Sequence, residues 1–130
     1  MAIPTGSGSE VLKTGSIHAL NNNVTEFKLD GSYETAISNT TASAVPTNTI
    51  ITILTVVVAN AHDSINANLN LWLYNGTNDI FLTNAHALPA NTTFVWSDTL
   101  VLQPTWKIKA SFDADANCDV SYTYIIQDWT

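Results

Sequence analysis

Short runs of β-branched, leucine and aromatic residues alternate along the chain with clusters of Gly, Pro, Asn and Asp, a spacing that predicts strands separated by turns. No segment sustains apolar residues at i, i+3, i+4 and i+7, so no long helix is expected. A first strand is predicted over residues 10–18 and a second over 24–29, with the Asn21-Asn22-Asn23 turn between them. The second stops at Asp30-Gly31, a dipeptide that tolerates positive φ, and a short third strand is expected over 33–37. Beyond Val45-Pro46 lies the most apolar run, residues 49–60, in which Ile50, Ile51, Ile53, Leu54, Val56, Val57 and Val58 leave little polar face. Such a run reads as a central strand buried on both sides.

Residues 66–74 alternate cleanly, with Ala67, Leu69, Leu71 and Leu73 on one face and Asn66, Asn68, Asn70, Trp72 and Tyr74 on the other. This half-buried strand ends at Asn75-Gly76, read as a two-residue hairpin turn from which a strand over 79–82 returns. After the Pro89-Ala90-Asn91 turn, strands over 92–96, 100–102, 106–112 and 118–126 complete the set. Eight or nine strands in 130 residues predict an all-β fold, an antiparallel two-sheet β-sandwich of jelly-roll type. Residues 1–9, where Pro4, Gly6 and Gly8 sit among small polar residues, read as a flexible N-terminal arm, which leaves 10–130 as a single sandwich domain.

Composition narrows the function. A hydrophobic fraction of 45% with only 12% charged residues excludes a disordered acidic tail and leaves a sparsely charged exterior of Thr, Asn, Ser and Ala. Such a surface costs little to desolvate, as a subunit of an assembly requires. The net charge is −7, the cations are Lys13, Lys28, Lys107 and Lys109, and there is no Arg, so the electrostatic footprint of phosphate binding is missing and no nucleic-acid partner is expected. No segment reaches the roughly 18 apolar residues of a membrane span, and residues 1–10 lack a signal-peptide stretch, so the reading is a protein made in the cytoplasm with no membrane partner. The four N-x-[ST] triplets, at Asn23, Asn39, Asn75 and Asn91, are then what a Thr- and Asn-rich composition yields by chance.

Catalytic and cofactor chemistry finds no foothold. His18, His62 and His86 fall in separate segments with no H-x-H or H-E-x-x-H spacing, and the single Cys118 can form neither an intrachain disulfide nor a thiolate cluster. Its flanking Asn117 and Asp119 would raise its pKa, so it reads as a packed thiol. Asp113, Asp115, Asn117 and Asp119 share the D-x-D-x-N opening of a calcium loop, but Cys118 stands where that loop wants Gly and no Glu closes it. That cluster reads as a solvated hairpin tip. No enzyme, metal or cofactor is therefore expected. Trp72, Trp96 and Trp106 admit a sugar-stacking reading, against which stands ordinary packing within strands. Trp129 lies near the C-terminus, where a large aromatic is spent only if it packs on its own domain or on a neighbour.

One resemblance adds to this. Val45, Pro46 and Asn48 before an apolar strand, Leu69, Leu71 and Leu73 in the next, the segment Thr93 to Leu102, the closing Ser121, Tyr122, Gln127, Asp128 and Trp129, and the opening Ile3-Pro4-Thr5-Gly6-Ser7-Gly8 together resemble small tailed-bacteriophage virion structural proteins. The pattern departs from theirs where Pro104-Thr105-Trp106 replaces a Gly-Asp turn. The resemblance implies a virion location and a capsid decoration (cement) role, with the major capsid protein or other virion proteins and further copies of the chain as partners; a neck, tail or baseplate component, or a carbohydrate-binding module, is the alternative. Partner contacts are expected at Ile3, Pro4 and Trp129, because aromatic anchors are enriched in interfaces and the arm has too few apolar groups to order by itself.

Overall fold

The computed structural model describes residues 9–20, 24–27, 29, 44–113 and 118–128. Nine strands are present among them: β1 (Ser9–Leu20), β2 (Thr25–Glu26), β3 (Thr49–Ala59), β4 (Ala67–Tyr74), β5 (Asp79–Leu88), β6 (Thr93–Trp96), β7 (Leu100–Leu102), β8 (Lys107–Phe112) and β9 (Cys118–Asp128). All pairings are antiparallel. One sheet runs β1-β9-β3-β6, with β7 also on β3; the other runs β2-β8-β4-β5.

β6 and β7 are two pieces of one interrupted strand. Trp96 lies opposite Val56 and Leu102 opposite Ile51, so both pieces lie along β3, parted at Ser97-Asp98-Thr99. With them merged, the described strands form two sets of four, β1-β9-β3-β6/β7 and β2-β8-β4-β5. The chain passes from one sheet to the other at every connection except the β4–β5 hairpin and the β6–β7 break, which is the rolled Greek-key path of a jelly roll.

The core forms where the two inner faces meet. Ile17 on β1, Ile51, Ile53, Val56 and Val58 on β3, Leu69 and Leu71 on β4, Ile108, Ala110 and Phe112 on β8, and Tyr122 and Tyr124 on β9 are all buried, spaced by two along their strands except between Ile53 and Val56, where the β3–β9 register shifts by one. The sheet of β1 and β9 needs a glycine: a Cβ at Gly15 would sit 2.3 Å from the Tyr122 ring, which lies flat against it. That ring stacks in turn on Phe27 of the opposite sheet at 4.5 Å. Asn60, buried after β3, ties the end of the sandwich by donating to the Ile65 and Leu88 carbonyls at 2.9 Å each.

Three details differ from the sequence reading. The run over residues 49–60 is central but buried on one face; Ile50, Thr52, Val57 and Ala59 on the other are half-buried, so uniform hydrophobicity here marks a low-polarity outer surface rather than a second covered one. The hairpin after β4 has a four-residue loop, Asn75 to Asn78, instead of two, because the Asn75 side chain accepts from the Thr77 and Asn78 backbone amides at 3.0 and 2.8 Å and builds a wider turn. Gly76 does take the positive φ, +91°. Finally β5 continues to Leu88, well past residue 82, through irregularities that alternation cannot reveal. The Asn21–Asn23 turn, the Asp30-Gly31 turn, the 33–37 strand and residues 1–8 of the arm lie outside the described residues.

Candidate binding surfaces

The outer face of the first sheet follows from register. Since Ile17, Tyr122, Tyr124, Ile51 and Val56 point inward, their neighbours point outward and line up across strands. One row reads Leu12, Ile125, Thr52 and Val101; another reads Thr14, Thr123 and Thr55; a third reads Ser16, Ser121, Val57 and Val95. None of these side chains is charged. Leu12 is 64% exposed and Val95 and Val101 54% each, so the face presents apolar stripes separated by hydroxyls. Charged side chains flank these rows at the ends of the sheet and at Asp98, exposed in the break between β6 and β7. Glu10 accepts from Gln127 at 3.1 Å at one end, and His18 Nδ1 lies 2.8 Å from Asp119 Oδ1 at the other, beside a shallow depression of about 320 Å³ floored by Val57, Ala59 and Ser121.

The outer face of the second sheet has a different chemistry. Lys107 Nζ and Lys109 Nζ lie 3.1 and 3.8 Å from one oxygen of Glu26, and Lys109 sits 4.8 Å above the Tyr74 ring. Beside this knot the β4–β5 pairing is irregular. Leu71 pairs with Thr83 and Leu69 with His86, so Asn84 and Ala85 together face the single Asn70. Ala85 takes φ +56° and donates its backbone N–H to Asn70 Oδ1 at 2.8 Å. The bulge opens a depression of about 270 Å³ lined by Asn70, Trp72, Phe81, Asn84 and Ser111. Trp72 belongs to this outer face yet is buried, its ring tilted against Phe81 at 5.4 Å.

The side chains singled out as chemical candidates are dispersed. His62 Nδ1 accepts from the backbone amides of Ser64 and Ile65 at 3.1 Å each, and His86 stacks on Phe94 at 4.9 Å. Asp113 accepts from the Asn68 backbone amide at 2.8 Å and from its side chain at 2.6 Å, so it fastens the end of β8 to β4; Asp115 and Asn117 lie outside the described residues. Among the described residues no three His, Cys, Asp or Glu side chains converge as a metal site. Cys118 is fully buried, and desolvation, with Asp119 adding to it, pushes its thiol up to about 11. Trp96 and Trp106 are half-buried against the core, and Trp72 lines the depression beside the bulge. Ile3, Pro4 and Trp129 lie outside the described residues.

Phe81, Asn84 and Ser111 were not marked by sequence alone. Their convergence depends on the bulge and on β8 lying beside β4, where Ser111 pairs with Asn70. The doublet Asn84-Ala85 inside an otherwise strand-like run was the available clue.

No protein-family model matches the chain, and no curated protein matches it. Among solved structures, a chain of the T13 IBDV viral particle is similar, at 9% identity and a TM-score of 0.42, over 91% of this chain and 31% of that one. The chain thus spans about a third of the length of that neighbour.

Proposed function

We propose that the chain is a structural component of a virus particle, a capsid decoration subunit that binds the major capsid protein and stabilises the shell without catalysis or cofactor. The observation that carries the proposal is the uncharged outer face built from β1, β9, β3, β6 and β7, with Leu12, Ile125, Val57, Val95 and Val101 at its surface. Exposed apolar stripes on a chain so poor in charge mark an interaction site, and interface cores are depleted of charged residues in the same way. The jelly-roll path supports this reading, since that architecture recurs in capsid and lectin domains, and the sequence resemblance to phage virion proteins points the same way. Fold leaves the role open, so the face carries the argument.

The test places one charge in the middle of the face. Leu12→Glu and Val101→Glu alter exposed positions, so both variants should fold with unchanged circular dichroism and melting temperature while incorporation into purified particles falls sharply. Full incorporation of both would overturn the assignment of the face. Copy number against the major capsid protein, by quantitative mass spectrometry, tests the decoration role: proportionality to the shell supports it, and a small fixed number assigns the protein to the neck or tail. Sedimentation of the free protein measures the expected self-association.

A further inference from the structure

The depression beside the β5 bulge gathers polar groups that the fold leaves unused. Ser111 lines it with a hydroxyl at 7% residue exposure. Trp72, also 7% exposed, has its indole N–H buried without an acceptor. Asn70 spends its carbonyl oxygen on the Ala85 amide, and its NH₂ group has no partner among the described residues. Asn84 adds an exposed side-chain amide with no partner among the described residues, and half-exposed Phe81 supplies an apolar wall.

Buried donors are almost always satisfied, and one left unmade costs about 1–3 kcal/mol, so the Trp72 indole N–H stands out at this depression. It coincides with a strained backbone. Ala85 holds a positive φ that costs a non-glycine residue roughly 1–3 kcal/mol, and bulges of this kind concentrate where a side chain must be re-aimed. In a strand under no functional demand, a glycine at 85 would remove that strain.

We propose that this depression is a binding subsite for one neutral sugar ring. The lining residues carry no charge, so an ionic ligand gains nothing there, and unused donors with a hydroxyl match the ring and hydroxyl oxygens of a pyranose. The Phe81 ring offers a face for the apolar C–H side of the sugar. A volume of about 270 Å³ lies just under the roughly 300 Å³ of the smallest drug-sized pockets, which suits a single ring rather than an enclosed oligosaccharide. The subsite lies on the opposite sheet from the proposed shell-docking face and does not depend on that role, so the protein can present it outward while docked.

The experiment is a ¹H–¹⁵N titration of the isolated protein with glucose, galactose and N-acetylglucosamine, with glucuronic acid as the charged control. The expected result is a saturable shift, with at least one neutral sugar, of the Trp72 indole N–H and the Asn70 and Asn84 side-chain amides. Phe81→Ala and Asn84→Ala change exposed positions and should each weaken that binding about tenfold while the rest of the spectrum stays in place, a factor equivalent to about 1.4 kcal/mol. Absence of saturable shifts up to tens of millimolar neutral sugar would overturn the proposal. So would shifts with glucuronic acid alone, which would assign binding to the lysines, or shifts unchanged in both variants.

Discussion

Replacing Gly15 by alanine tests the packing of the sandwich at its tightest point. A Cβ there would stand 2.3 to 2.5 Å from three atoms of the Tyr122 ring, more than 1 Å short of the roughly 3.5 Å at which carbon atoms rest in contact. The ring has little room to retreat, being 1% exposed, stacked on Phe27 at 4.5 Å and packed 5.7 Å from Tyr124. Overpacking of this kind costs about 1–3 kcal/mol, and the rigid surroundings favour the upper end. Against it stands the roughly 0.5–1 kcal/mol that alanine gains over glycine in a strand interior. Clash wins, with a net loss of about 2 kcal/mol. For a domain of this size that lowers the melting temperature by roughly 6–10 °C, measured by calorimetry or circular dichroism. Ser16→Ala, one residue on and facing outward, should change stability by less than about 0.5 kcal/mol. In a Tyr122→Leu background the Gly15→Ala penalty should shrink by about 1 kcal/mol or more, because the two residues share the contact. A Gly15→Ala protein as stable as the parent would refute the reasoning.

Gly76→Val should lose about 1–3 kcal/mol in chemical denaturation, since φ is +91° and a Cβ would press within 3.2 Å of Thr105 Oγ1; Gly76→Asn should lose less. Asn60→Leu should lose about 2–4 kcal/mol by the same measurement, as it strips the Ile65 and Leu88 carbonyls of their donor in a buried site. Cys118, with its thiol pushed up to about 11, should resist iodoacetamide at pH 8 and react at a rate set by unfolding, read by mass spectrometry. The sign of its pH effect follows: the folded chain keeps its proton longer than the unfolded one, so the thiol's contribution is intact below about pH 9 and declines as pH rises from about 9 towards 11, a decline that Cys118→Ala should remove.

How far the sequence reached can be judged strand by strand. Residues 67–74 were legible because Ala67, Leu69, Leu71 and Leu73 face a core while their neighbours do not, and period two is a local property. Residues 49–59 were legible as a strand but not in their surroundings, since a run of Ile and Val looks alike whether its second face meets another layer or solvent. The course of β5 was half legible: Asp79 to Leu82 reads as a strand, but the positive φ at Ala85 and the bulge exist only through pairing with Asn70. For the same reason Trp72 could be placed on its face but not buried there, because the Lys109 and Ser111 beside its strand position come from β8, distant in sequence. The burial of Ser111 on an outer face has no sequence signature.

The placement of β9 between β1 and β3 sets the order in which the molecule can assemble. Ser9 pairs with Asp128 and Thr49 pairs with that same residue, so the first sheet stays open until the last strand has been synthesised. During translation β3, the stickiest segment of the chain, has both of its lateral edges waiting for strands that arrive much later. Closure of loops that long precedes any reward from the contacts they bring, which makes for slow folding and a vulnerable interval in which exposed strand edges can pair with other copies. The threonine and serine rows across the outer face then matter to the nascent chain as well as to the finished one, because they break up the apolar stripes that would otherwise hasten aggregation.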